Sequence, residues 1–317
     1  MRDHFIQRLG ELVLQDPNIF LITGDLGFGV FNDFRENYPA NFINVGVAEQ
    51  QMTGLATGLA LEGKTTFTYS IANFATLRCL EQIRNDAAYH GANVNVVCIG
   101  GGFSYGALGI SHHATEDLAI LRSIPDITVV APCGHWETMA ATAAIAQEPG
   151  TAYLRLDKSA GDDSAITDSE SFTLGRARIL RPGTDCAIIT TGGILEEVQK
   201  AVAELSTKNI AARVISMHTI KPIDVETVMA AATETNALIT VEEHTVNGGL
   251  GSAVLEFANQ ANIDTRHVKR LGIPDQFVEH GDRTELLADL GLDQVGIVAA
   301  CREMAERRRL SDAGLTE

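Results

Sequence analysis

Two consecutive α/β domains with mainly parallel sheets are predicted by three features of this sequence. Short runs rich in Val, Ile and Thr alternate with amphipathic stretches along the whole chain, the pattern of parallel strands joined by crossover helices. Each run is bounded by Gly, Pro, Asn or Asp, which end strands and open turns. From Asp157 to Ser171 the composition shifts to Asp, Ser, Ala, Lys and Gly, as expected of a linker. At 317 residues, 45% of them hydrophobic, the chain is long enough for about two such domains.

Taken in order, the strands predicted for the first domain are Ile19–Thr23, Phe42–Val45, Thr65–Tyr69, Val94–Ile99, Thr128–Ala131 and Ala152–Leu156. The helices between them are predicted at Asp3–Gln15, Ala48–Leu61, Ala75–His90, Thr115–Ser123 and Trp136–Gln147. In the second domain the strands are Cys186–Thr191, Ala212–Ser216, Ala237–Val241 and His267–Leu271. Its helices lie near Leu195–Lys208, Asp224–Thr235, Gly249–Gln260 and Asp293–Arg309, and Leu310–Glu317 reads as a frayed end. The division expected is a first domain over 1–165, a linker over 166–184 and a second domain over 185–317.

A formal net charge of −17 sets Coulomb repulsion against binding nucleic acid or anionic membrane, so an anionic substrate must meet a local cationic pocket. No run approaches the roughly 20 apolar residues that cross a bilayer, and Met1-Arg2-Asp3-His4 opens no basic-then-apolar leader, so a cytoplasmic location is expected. The five cysteines, Cys79, Cys98, Cys133, Cys186 and Cys301, are scattered and form no C-x-x-C pair. They read as structural thiols, with no zinc-ligand cluster.

The most informative segment is Asn44-Val45-Gly46-Val47-Ala48-Glu49-Gln50-Gln51-Met52, where a strand ends and a helix begins with a carboxylate in its first turn. Such a Glu by itself need only complement the helix dipole, worth a few tenths to about 1 kcal/mol. The helix then continues Gly54-Leu55-Ala56-Thr57-Gly58, a small-residue face that permits close approach of another helix. As a whole the segment resembles the pyrimidine-binding domain of transketolases and their relatives, the 1-deoxyxylulose-5-phosphate synthases and the β subunits of 2-oxo acid dehydrogenases. The resemblance implies that Glu49 is catalytic, hydrogen-bonding N1′ of the aminopyrimidine ring of thiamine diphosphate and stabilising its imino tautomer.

Further matches extend the resemblance. Thr68-Tyr69-Ser70-Ile71-Ala72-Asn73-Phe74 falls where relatives place the aromatic that stacks on the pyrimidine, which makes Phe74 and Tyr69 the cofactor-binding candidates. Phe74 sits one residue off the family's usual position when counted back from Glu81-Gln82. Within Ser111-His112-His113-Ala114, His112 aligns with a substrate-contacting histidine, and His113 is read as a helix-entry or solvent residue. Upstream, Ala107-Leu108-Gly109 replaces the acidic residue and second histidine of ordinary transketolases, which leaves the donor sugar open. In Tyr153-Leu154-Arg155-Leu156-Asp157-Lys158, relatives present a cation to a sugar phosphate, and Lys158 and Arg155 are the substrate-binding candidates. Lys221-Pro222-Ile223-Asp224, Glu242-Glu243-His244 and Gly248-Gly249-Leu250-Gly251 resemble the C-terminal domain of the same superfamily, and none of them is assigned a catalytic role.

Enzymes of this family hold the diphosphate through magnesium bound by a Gly-Asp-Gly segment and a later asparagine, a pair not found in this chain. The resemblance therefore implies the C-terminal section of a split transketolase. Such a chain is active only with an N-terminal subunit carrying the diphosphate and Mg2+ site, in an α2β2 heterotetramer. The implied reaction moves a two-carbon ketol unit from a ketose, expected to be phosphorylated, to an aldose. The β subunit of a 2-oxo acid dehydrogenase and a non-catalytic subunit of the same fold are the alternatives.

Overall fold

The computed structural model describes residues 1–27 and 29–312, with side chains through Glu306. The first-domain strands are β1 (Ile19–Thr23), β2 (Phe42–Asn44), β3 (Thr65–Ile71), β4 (Val94–Ile99), β5 (Ile127–Val130) and β6 (Thr151–Leu156). They are followed by β7 (Arg178–Arg181), β8 (Cys186–Thr191), β9 (Ala212–Ser216), β10 (Thr219–Lys221), β11 (Leu238–Thr245) and β12 (Val268–Ile273). Around the first sheet lie α1 (Arg2–Gln15), α2 (Asn32–Asn37), α3 (Glu49–Leu61), α4 (Ala72–Thr76), α5 (Asp117–Ser123) and α6 (His135–Gln147). The second sheet carries α7 (Leu195–Thr207), α8 (Val225–Glu234), α9 (Leu250–Gln260), α10 (Arg283–Asp289) and α11 (Gln294–Asp312). Of the stretch expected to fray, residues 310–312 close α11 and 313–317 lie outside the described residues.

Two α/β layers result, as the sequence predicts. The first sheet has seven strands in the order β10-β5-β6-β4-β3-β1-β2, and the second has five in the order β12-β11-β8-β9-β7. Pairing is parallel except for β10 on β5 and β7 on β9. Every residue of β4, β6 and β8 is buried, because helices cover both faces of a parallel sheet; near-continuous apolar runs are what such strands require.

Three differences from expectation bear on the site. Strand β7 lies inside the expected linker, so the second sheet begins at Arg178. Strand β10 belongs by sequence to the second domain yet pairs with β5 of the first, Thr219 opposite Val130. One apolar cluster accordingly runs from Met52 and Leu118 through to Ile215, Ala231 and Val254. The single helix expected over Ala75–His90 is instead α4, a turn at 77–79 and a π-helical stretch Gln82–Ala88. Such wide turns re-aim side chains and recur at functional sites.

The linker is strapped down rather than free. The Asp163 carboxylate accepts the backbone N–H groups of Trp136 and Glu137 at the start of α6, at 3.1 and 2.7 Å. Arg178 binds Glu137 at 2.9 Å and Glu170 at 2.7 Å. Among the described residues no helix is long and apolar enough to cross a membrane.

Candidate active site

Parallel strands deliver their C-terminal ends to one edge of the sheet, and the loops leaving that edge are where ligands bind in open α/β folds. Glu49, Phe74, His112 and Lys158 all lie on loops or helix starts that follow β2, β3, β4 and β6. Glu49 opens α3 and is only 2% exposed. Just ahead of it the loop after β1 is tied to the end of β2: Asn44 accepts from Asp25 N–H at 3.1 Å and Gly46 N–H at 2.9 Å, and donates to the Asp25 carboxylate at 2.9 Å.

From Glu49 a chain of contacts runs along the strand ends. Arg78 Nη1 donates to Glu49 Oε2 at 2.6 Å, and the Arg78 guanidinium lies 4.7 Å from the centre of the Phe74 ring. Phe74 meets the His112 imidazole edge-on, with ring centres 5.0 Å apart. The His112 ring is 6.0 Å from that of Tyr105, and Lys158 Nζ sits 3.5 Å from the Tyr105 ring centre. Burial first, then the positive charge of His113 and Lys158, holds His112 below its ordinary pKa; burial and then Arg2 do the same for Lys158.

At Lys158 this chain of contacts meets a cavity of about 370 Å3 lined by Arg2, Asp3, His4, Tyr105, His135, Asp157 and Lys158, in which Arg2 pairs with Asp3 at 2.9 Å. His4 and His135 stack in it, ring centres 4.2 Å apart. Sequence reading missed Arg2 and His135 because they come from the starts of α1 and α6 and carry no local signal. A larger cavity, about 640 Å3 between α1 and α2, has none of Glu49, Phe74, His112 or Lys158 in its lining. Arg78 was also missed, although its position four residues after Phe74 is the spacing of helical neighbours.

Three readings of the sequence need correction. Tyr69 is not a free aromatic face: it is 2% exposed, packed on Phe5 at 6.1 Å and edge-on to Phe31 at 4.8 Å. Burial raises its phenol. Arg155 does not reach the cavity. Side chains alternate along a strand, so Arg155 shares a face with Tyr153 and Asp157. There it pairs with Asp117 at 3.4 Å and Asp157 at 3.3 Å, and donates to the Glu243 carbonyl of the second domain at 2.8 Å. It is 2% exposed and acts as a clamp between the domains. His113 is no solvent residue; it is buried, with its Nε2 3.1 Å from the Gly106 carbonyl oxygen.

The second domain, given no catalytic role from sequence, braces the His112 loop. Glu243 accepts the Phe103 N–H at 2.7 Å while Arg283 grips its carboxylate at 2.7 Å. Gly281 N–H reaches the Gly106 carbonyl at 3.1 Å.

Comparison with known proteins identifies the family of both domains. Residues 1–162 match the model of the transketolase pyrimidine-binding domain, and residues 175–297 that of the transketolase C-terminal domain. The chain is 39% identical to one of the subunits of an apulose-4-phosphate transketolase from Phocaeicola vulgatus, over 96% of this chain and 97% of that one. It is 37% identical to a putative transketolase C-terminal section of Methanocaldococcus jannaschii, over 98% and 96%. A solved structure of a split-gene transketolase, described as an inactive β4 tetramer, superposes with a TM-score of 0.85 at 34% identity, covering 96% of this chain and 97% of that one.

Proposed function

Since the chain belongs to the transketolase family and carries its pyrimidine-binding and C-terminal domains, we propose that it is the C-terminal subunit of a split, thiamine-diphosphate-dependent transketolase. It moves a two-carbon ketol unit from a ketose to an aldose. Its near full-length similarity to proteins named as a transketolase subunit and as a transketolase C-terminal section supports this. The observation that carries the reading is the order of groups along the strand ends: a buried carboxylate, an aromatic face, an imidazole and a cation.

Buried Glu49 beside the partly exposed Phe74 is a donor set that fits an aminopyrimidine ring. The Gly-Asp-Gly segment and later asparagine that hold magnesium in this family are not found in the sequence. The magnesium and diphosphate site belongs in this reading to an N-terminal partner subunit, in an assembly of two chains of each kind. When bound, the cofactor supplies the nucleophilic carbon and the electron sink. Glu49 holds a proton at the ring nitrogen it faces, and Phe74 fixes the plane of the ring. His112 offers a hydrogen bond to a substrate oxygen, and Lys158 with Arg2 neutralises the terminal phosphate of the sugar.

The test combines this chain with a partner carrying the Gly-Asp-Gly segment, thiamine diphosphate, Mg2+, a ketose phosphate and an aldose. Ketol transfer is expected, and Glu49→Ala lowers it about 10²–10⁴-fold while assembly persists. No transfer from any ketose donor refutes the reading, and carbon dioxide release from a 2-oxo acid would reassign the chain to the dehydrogenases. A pair whose thermal unfolding ignores the cofactor would be a non-catalytic assembly.

A further inference from the structure

We infer that Arg78 is the positioning residue of the catalytic carboxylate, joining Glu49 and Phe74 into a preformed bracket for the cofactor ring. This rests on the reading that Glu49 faces the aminopyrimidine. Neither the motif carrying Glu49 nor the aromatic position marks Arg78, and three observations do.

The first is charge. Glu49 is 2% exposed and Arg78 Nη1 stands 2.6 Å from its Oε2. A carboxylate so deeply buried is costly unless it is paired, and Arg78 is its ion-pair partner among the described residues. The second is origin. Arg78 projects from the turn at 77–79 that interrupts the expected helix, and its side chain remains 47% exposed. The cation thus reaches inward from solvent rather than being buried with its partner. The third is shape. The same guanidinium lies 4.7 Å from the centre of the Phe74 ring, where a flat, delocalised cation stacks and a lysine ammonium would not.

One side chain therefore sets both the rotamer of the carboxylate and the lie of the aromatic ring before any ligand arrives. Arg78 occupies Oε2, which leaves Oε1 to meet a ring nitrogen. Preorganisation of this kind lowers the ordering cost of binding.

The test measures thiamine diphosphate affinity by isothermal titration calorimetry on the assembled protein, for Arg78→Ala and Arg78→Lys, each in the native and the Glu49→Gln background. Circular dichroism of each variant verifies the fold, and Arg78→Gln replaces the Ala variant if that one unfolds. Arg78→Ala is expected to weaken binding about tenfold, the equivalent of about 1.4 kcal/mol. Arg78→Lys should recover only part of the loss, since it restores charge without the planar face. In the Glu49→Gln background the same substitutions should cost clearly less, about two- to threefold, because the ion pair is already gone and only the contact with Phe74 remains to be lost. Equal losses in both backgrounds, or no loss in either, overturns the role of Arg78 and leaves the reading of Glu49 standing. If Glu49→Gln alone alters neither affinity nor turnover, both fall.

Discussion

Removing the Glu243 carboxylate should loosen the His112 loop from the second domain, and the cost can be worked from its contacts. Glu243 Oε1 accepts the Phe103 N–H at 2.7 Å, and Arg283 reaches the carboxylate through Nε at 3.1 and 3.2 Å and Nη2 at 2.7 Å. The two side chains are 2% and 19% exposed. In Glu243→Ala the buried N–H loses its acceptor, about 1–3 kcal/mol, and Arg283 is left uncompensated, about 3–5 kcal/mol for breaking a buried pair. These costs overlap. Burial also raises the Glu243 carboxyl above its ordinary range, so the native ion already carries a desolvation cost that the variant escapes. A net loss of about 3–4 kcal/mol follows, and at about 2 °C per kcal/mol for a chain of this size the melting temperature falls about 6–8 °C. Glu243→Gln keeps an acceptor for Phe103 but still leaves Arg283 without its charge partner, so it should recover only about 1 kcal/mol and melt about 2 °C above the Ala variant. Differential scanning calorimetry reads both. An Ala variant melting within about 1 °C of the native protein would refute the brace, as would a Gln variant that melts as low as Ala.

Arg155→Met should cost about 3 kcal/mol of stability by leaving the buried Asp117 and Asp157 without their shared cation, although Asp117 keeps the Tyr153 hydroxyl and Asp157 the Gly193 N–H, with the KM for substrate unchanged. A raised KM at unchanged melting temperature would return Arg155 to the substrate site. Lys158→Ala should raise the KM for a phosphorylated donor about 10–100-fold, the loss of one charge-assisted contact of about 1.5–3 kcal/mol. It should leave kcat and the KM for an uncharged ketose little changed; equal effects on charged and uncharged donors would rule out phosphate contact. His218 is pushed down to about 3 by burial and then by the charge of Arg178, so it stays neutral in the fold while the unfolded chain takes up a proton below about pH 6.5. Its contribution is therefore intact above about pH 7 and is lost as pH falls toward 3, by up to about 1.4 kcal/mol per pH unit. In His218→Phe the dependence of unfolding free energy on pH between 6 and 4 should lose close to one proton, and an unchanged slope would sink that assignment.

Legibility in the sequence followed burial. Strands β1, β4, β8 and β9 have the bounds predicted, because strands enclosed by helices must be apolar along their length and punctuated at their ends. Strands β7 and β10 were not predicted. Each is short, lies at a sheet edge and pairs antiparallel, so nothing in its own composition demands a strand. Glu49 could be read because its motif is local, a strand end, a turn and a helix start within a few residues. Arg155 and Lys158 stand three positions apart on one strand end, and from sequence they share a role. The strand's two-residue period sends Arg155 toward Asp117 and the second domain and leaves Lys158 at the surface.

What the sequence alone determined is therefore the alternation of strands and helices, the two-domain order and the place of Glu49 at a strand-to-helix turn, each written within a single element or turn. Only the tertiary structure decided that Arg78 meets Glu49, that Arg2 and His135 join Lys158 around one cavity, and that Glu243 and Arg283 hold the His112 loop. Those pairs are far apart along the chain. Their proximity follows from packing of whole sheets and helices, a global minimum of buried area and paired charge that no local window of residues encodes.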